Sequence, residues 1–522
     1  MLEHRQVTAG DTSARDDPPG GSGGSSPLSR GRRQSTAAPP RPSPARWAGA
    51  VLRRHWLAAA LLAAGLVLRV AAELAYRPAL FYIDSPRYLY DAQGMDPVGY
   101  KAPLRAILAV GNFDAVTAVQ HLLGLAMALV IYLLLLRRGV SRWLAALAMA
   151  PVLLDAYQLQ SEQSIMPGTW FEALIVAGLA ILLWRPGAGW RRLLAAGLLL
   201  GTSATMAQVG EALLLPAAGY VLVAVLVAAG GWRQAITKAL AMCAAFALPI
   251  VAYMAGSDAL TGAFALSHTG VTSFYGRMAA AADCATLKLP AAERGLCPTR
   301  AQQAQGPDWL EYNSGSPVRA YYNNPDRART DGQLSGFNHA VLTQQPLRVL
   351  RAYGRDVLKL YAVTRTTDPG DTPVWRWWFR TYYRYFPPHA GRAQVDQAIQ
   401  RWGGGAPAVW TPVASFLRAY QLDGGYTPGP LLALFTVTGL AGSLTLLRRR
   451  PPPRPPRPPP LDPARRQRAL ACLLFFASAA SLLLVSDMFE FSWRYQIPAL
   501  VTLVPAGVLG LSVLLSRRPS SA

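Results

Sequence analysis

Charge is scarce in this chain of 522 residues: Asp, Glu, Lys and Arg make up 15% of it, hydrophobic residues 52%, and mean hydropathy is +0.19. That excludes an ordinary soluble protein of this size and leaves a polytopic membrane protein. Lysine is rarer still, confined to Lys101, Lys238, Lys288 and Lys359. The net charge of +23 therefore rests on arginine, gathered in the N-terminal tail and in short loops between apolar runs rather than along a nucleic-acid-binding face. The six histidines show no metal-ligand spacing, and HExxH, paired CxxC, P-loop and GxGxxG patterns are missing, which excludes the common zinc and nucleotide sites. Of the four cysteines, Cys243 and Cys472 fall inside apolar runs and read as small buried hydrophobes. Cys284 and Cys297 share one polar loop; if it lies outside the cytoplasm a disulfide is expected, the alternative being two free thiols.

What is present is a series of apolar runs. About ten, near 56–76, 115–136, 143–158, 167–184, 192–208, 211–230, 236–256, 428–447, 469–486 and 496–515, approach the roughly 20 residues that cross a bilayer. The sequence thus predicts an all-α polytopic membrane protein of about ten transmembrane helices, with a large extracytoplasmic insertion between the seventh and eighth. Arg53-Arg54, Arg137-Arg138-Arg142, Arg185-Arg191-Arg192, Arg233-Lys238, the 448–468 loop and Arg517-Arg518 then share one side, whereas opposite turns such as 158–166 carry no Lys or Arg. This positive-inside pattern makes both termini cytoplasmic. Four segments follow: a disordered cytoplasmic tail over 1–50, a seven-helix module over 51–256, an extracytoplasmic domain over 257–427, and three membrane helices over 428–518. The loop 448–468 contains PPPRPPRPPP, a polyproline II spacer.

Inside the insertion, FNHAVLTQQPLRVLRAYGRDVLKLYAV has helical periodicity broken at Pro346 and reads as amphipathic helix on the domain or the membrane. WRWWFRTYYRYF, Trp375 to Phe386, suits a membrane-interface anchor or a sugar-stacking platform, and the two are compatible.

Ionisable residues in membrane segments are costly, so their depth is informative. Arg69, Glu73, Asp155, Glu162, Glu172, Glu211, Asp487, Glu490 and Arg494 all lie at or near the outer ends of their runs, with His121 about two turns deep. A polar site is therefore expected at the outer face. FYIDSPRYLYDA follows the first run, and Ser85-Pro86 is a helix start signal that puts Asp84 at the entrance of a short juxtamembrane helix.

FYIDSPRYLYDA, the downstream YKAPLRAIL, LQSEQSIMPGTWFEAL and the late FSWRYQIPAL, in that order and sidedness, resemble polytopic GT-C glycosyltransferases, especially the bacterial protein O-mannosyltransferase-like and arabinosyltransferase-like branch. The layout agrees over most of the chain. Two positions depart: Ser85 follows Asp84 where the family often has Asp-Glu, and Gly168 stands where an acidic residue often follows Ile-Met-x, a place Glu162 or Glu172 would take.

The resemblance implies inverting transfer of a sugar from a polyprenyl-phosphate donor to a hydroxyl of a glycan, lipid or protein acceptor outside the bacterial plasma membrane. Asp84 would be the general base. A lipid phosphate leaves readily, so no second carboxylic acid is needed to protonate it. Its grip would come from Arg494 and Lys101 first, then Arg69, Arg87 and Arg105, with Tyr88 and Tyr495 beside them. Glu162 and Glu172 would touch substrate or pair with Arg69. No cofactor is expected; a divalent ion at the Asp84 and Glu162 carboxylates is the alternative, since hard cations favour oxygen ligands. A flippase or transporter of lipid-linked saccharides would place polar groups at mid-depth, where only His121 approaches. An O-antigen-ligase-like enzyme would act through an arginine and His339 or His389, and a noncatalytic envelope scaffold would leave the clustered charges unexplained.

Overall fold

The computed structural model describes residues 44–90, 97–185, 187, 189–267, 269–319, 327–385, 391–447 and 462–516. The expected disordered tail before residue 44, Asp91, His389 and the polyproline spacer lie outside the described residues. Residues up to Val51 form one unit, and those from Leu52 onward a second compact one.

Helix α1, Pro44–Arg54, is followed by α2, Trp56–Ala75, whose Ala and Leu content favours helix over about 30 Å, one bilayer thickness. After α3 (Ser85–Leu89) and α4 (Lys101–Leu108), the Asn112 side chain caps α5, Phe113–Arg137, by accepting the Ala115 N–H at 3.1 Å. Gly139 ends the turn beyond α5 at φ +75°, a left-handed conformation that suits glycine. His55, ahead of α2, meets the Tyr132 hydroxyl near the end of α5 at 2.6 Å. The two helices therefore run antiparallel, and Arg137, Arg138 and Arg142 stand at the end of the bundle opposite Asp84.

The third apolar run differs from expectation. In place of one span, 143–158 is broken into α6 (Arg142–Leu147), α7 (Ala150–Leu154) and α8 (Ala156–Glu162). Pro151 has no N–H to continue α6, and Asp155 turns extended (φ −67°, ψ 119°) so that its carboxylate caps α8 through the Tyr157 N–H at 3.0 Å. Helices α9 (Gly168–Leu183), α10 (Trp190–Met206), α11 (Leu214–Val227, preceded by a 3₁₀ turn from Gln208) and α12 (Trp232–Thr261) complete the first half. A Cβ on Gly201 would run into the Phe246 carbonyl, so glycine lets α10 and α12 pack backbone to backbone. The apolar helices Gly429–Leu444, Pro463–Phe489 and Ala499–Leu515 close the bundle. Among the described residues six helices are long and apolar enough to cross a membrane, and shorter apolar helices accompany them.

The stretch 257–427 divides in two. Helices α13 (Gly270–Ala281), α14 (Arg300–Gln303) and α15 (Gly306–Tyr312), with Arg327–Gln344, enclose their own core around Tyr275, Leu310 and Phe337. Cys284 and Cys297 are joined as a disulfide beside it. With the cysteines 13 positions apart, reduction should cost about 3 kcal/mol by the loop-entropy argument, read as a lower melting temperature in reductant and in Cys284→Ser. The amphipathic stretch is bent where the sequence places Pro346, as helices Arg327–Gln344 and Pro346–Lys359. Past Leu360 the chain returns to the bundle: Val374, Trp377 and Val395 join its core, and Ala408–Val409 pairs antiparallel with Tyr76–Arg77.

Candidate active site

Asp84 is held by a riveted loop. Leu80 donates its N–H to the Gln163 carbonyl and accepts from the Ile165 N–H, both at 2.9 Å. The buried Ser85 hydroxyl accepts from the Tyr82 N–H at 2.8 Å and donates to the Ile165 carbonyl at 2.9 Å. FYIDSP is thereby pinned to the Ser164–Met166 turn ahead of α9. The Asp84 carboxylate makes no capping bond. Arg87 Nη2 donates to its Oδ1 at 2.8 Å and Arg494 Nη1 to its Oδ2 at 3.2 Å.

Arg494 lies in the turn Trp493–Gln496, with its guanidinium 5.1 Å from the Trp377 ring and 5.7 Å from that of Tyr495. Trp377 packs on Tyr82 at 4.3 Å, so the Asp84 loop, the returning chain and the last connection meet at one point. Behind them, Trp493 Nε1 donates to the Thr366 carbonyl at 2.8 Å, and Arg365, paired with Asp155 at 2.9 Å, sits among Tyr157, Tyr426 and Trp493. Asp155 is thus an anchor for the returning chain.

Asp84 and Arg494 open onto a cavity of about 510 Å³. Its carboxyl groups come from Asp84, Glu172, Glu211, Glu311 and Glu490, and Arg494 is the basic side chain among the described residues that line it. The rest is largely apolar, including Phe171, Met206, Val209, Leu482, Phe489 and Ile497. Glu172 is 2% exposed, and its Oε2 has no hydrogen-bond partner among the described residues. Tyr88 lines the cavity with its ring against Tyr100; burial pushes its phenol up to about 12, so at neutral pH it keeps its proton and is no base. Burial, then Asp308 and Glu311, raise Glu490 well above the usual carboxylate range.

Glu311 accepts from the Ser273 hydroxyl, and burial pushes its carboxyl up to about 7 from 4.5. Between those values the unfolded chain has released a proton that the folded chain retains, so this group's contribution falls as pH rises from about 4.5 to 7 and is level above. Glu311→Gln should flatten that part of the stability-versus-pH curve, measured by melting temperature across the window.

The expected site residues do not all converge. Asp84, Tyr88, Glu172, Arg494 and Tyr495 line the cavity, and Arg87 reaches it through Asp84. Lys101 opens α4 and is outside the lining. Arg69 and Glu162 are buried together at 2.7 Å: Arg69 also donates to the carbonyls of Gly65, Val152 and Leu153, and Glu162 accepts from Gln158 and faces His121 Nδ1 at 2.9 Å. This network consumes Glu162 inside the bundle, away from Asp84, and among the described residues no group of three or more His, Cys, Asp or Glu side chains could hold a metal ion. Glu162→Ala would leave Arg69 as an uncompensated buried charge and should destabilise the fold by about 3 to 5 kcal/mol, seen in thermal unfolding. Ser273 and Glu311 have no signal in the sequence, and Trp377 lies in the noted aromatic stretch with nothing to tie it to Asp84, because all three reach the site from segments about 190 to 290 residues away.

No family model and no curated protein matches the chain. Among solved structures it is similar to the protein O-mannosyltransferase Pmt1-Pmt2 complex of S. cerevisiae bound to the sugar donor, at 17% identity and TM-score 0.32, over 44% of this chain and 36% of that one. It is also similar to the oligosaccharyltransferase AglB of Archaeoglobus fulgidus in complex with an inhibitory peptide and a dolichol-phosphate, at 13% identity and TM-score 0.37, over 89% of this chain and 51% of that one. The chain thus spans roughly a third to a half of these proteins' lengths.

Proposed function

We propose that the chain is a membrane glycosyltransferase that moves a sugar from a polyprenyl-phosphate donor to an acceptor hydroxyl at the outer face of the membrane, with inversion. The observation that carries this reading is the Asp84 carboxylate bonded to Arg494 at the wall of a cavity lined by both carboxyl groups and apolar side chains. A lipid-linked sugar needs those three surfaces together. Apolar side chains between helix ends receive the prenyl tail, a guanidinium grips the phosphate, and carboxyl groups accept hydrogen bonds from sugar hydroxyls. Asp84 takes the acceptor's proton as its oxygen attacks the anomeric carbon, and the carbon–phosphate oxygen bond breaks with the electron pair leaving on the phosphate beside Arg494. The Tyr88 phenol is a further hydrogen-bonding group in the same wall.

The test is transfer by the reconstituted protein supplied in turn with radiolabelled polyprenyl-phosphate pentoses and hexoses and membrane acceptors. Label should move into a new product with release of polyprenyl phosphate. Label that crosses the bilayer still attached to its carrier would instead make the protein a transporter.

A further inference from the structure

A second cavity, of about 520 Å³, is lined by Trp375, Arg380, Tyr382, Tyr383, Arg384 and Tyr385, all from the aromatic and arginine stretch of the insertion. Its rings divide between two roles. Trp377 and Phe379 fold inward, Trp377 onto Tyr82 and Phe379 stacked on Tyr76 at 5.3 Å, and the Tyr383 hydroxyl donates to the Ala79 carbonyl at 2.7 Å. Trp375, Arg380, Tyr382, Arg384 and Tyr385 share the concavity with Tyr383. Arg384 lies 4.3 Å over the Trp375 ring, and Arg380 donates to the Trp375 carbonyl at 2.7 Å while stacking on Trp375 and Trp378. Arg380 has no ion-pair partner among the described residues; burial lowers its basicity, and the guanidinium groups of Arg418 and Arg384 act on it as like charges.

One short turn links this basic, aromatic cavity to Arg494 of the acidic one. The turn Val374–Trp377 sends Trp375 into the first and Trp377 onto Arg494, while Arg376 between them pairs with Asp308 at 3.1 Å. We propose that the second cavity binds a glycan bearing carboxylate or phosphate groups and, resting on the reading above, that it holds the acceptor chain while a hydroxyl reaches Asp84. Flat rings stack on sugar faces, and guanidinium groups pair with anionic substituents.

The experiment is calorimetry on the full chain in nanodiscs, with tetragalacturonate and maltotetraose phosphate as anionic probes and methyl-esterified tetragalacturonate and maltotetraose as their neutral counterparts. At least one anionic probe should bind about tenfold or more tighter than its neutral counterpart, and Trp375→Ala and Arg380→Gln should each weaken it by about tenfold. Tyr382 is 58% exposed, so Tyr382→Ala spares the fold and should weaken binding several-fold even if the other variants fail to fold. Asp84→Asn should bind as the unaltered chain does, so a failure of the catalytic reading would not disturb this result. The proposal is overturned if neither anionic probe is preferred, or if binding ignores Tyr382→Ala. It is equally overturned if brominated phospholipid in the disc quenches the fluorescence that Trp375→Phe removes, because the stretch would then be seated in lipid.

Discussion

Asp84→Asn should lower turnover by about 10² to 10⁴, the usual worth of a positioned base, while the protein stays folded and still binds donor. Asparagine keeps the shape and one acceptor oxygen, so the loop bonds through Leu80 and Ser85 do not depend on the change. What is lost is the capacity to take a proton. Glu311→Gln is the informative contrast: its carboxyl also lines the cavity and sits near 7, yet it is bonded to the Ser273 hydroxyl, whereas Asp84 is bonded to two guanidinium groups. The account expects Glu311→Gln to retain far more turnover than Asp84→Asn. Steady-state rates of the two variants on one labelled donor, with melting temperatures alongside, decide it.

Arg494→Ala should cost roughly 3 to 4 kcal/mol of transition-state stabilisation, about 10² to 10³ in rate, by comparison with deletions of single groups that stabilise developing anionic charge. Among the described residues that line the cavity Arg494 is the basic side chain, so on the proposed reading no other described lining residue would replace it against the leaving phosphate. Arg494→Lys keeps the charge but loses the two-pronged fork and the flat face over Trp377, and should recover only part of the loss. The loss should appear in kcat and in inhibition by free polyprenyl phosphate, whose binding should weaken by a similar factor. An Arg494→Ala enzyme inhibited as strongly as the unaltered one would remove the phosphate from this residue.

Much of the architecture is legible in the sequence because bilayer thickness imposes a length that composition alone can show. Most apolar runs reappear as helices, and the run-end charges Glu172, Glu211, Glu490 and Arg494 meet Asp84 in one cavity. The third run misleads because hydropathy averages over Pro151 and Asp155, whose backbone effects are local and break the segment. Arg69 and Glu162 have the right charge and depth for a substrate site; which charges pair with one another is a matter of tertiary packing, and these two face inward. Lys101 was grouped with Arg494 by motif, and its place at the start of α4 leaves it outside the lining. Glu311 and Trp377 were illegible for a different reason: an insertion that folds back on the bundle has no periodicity to say which of its residues return to the site.

Sidedness is the central claim, and cysteine labelling tests it most directly. Ile83 adjoins Asp84 and is 52% exposed, while Cys472 is buried and Cys243 can be replaced to clear the background. Ile83→Cys in intact cells should react with a membrane-impermeant maleimide without permeabilisation. Reaction only after the membrane is opened would put Asp84 in the cytosol and contradict transfer at the outer face.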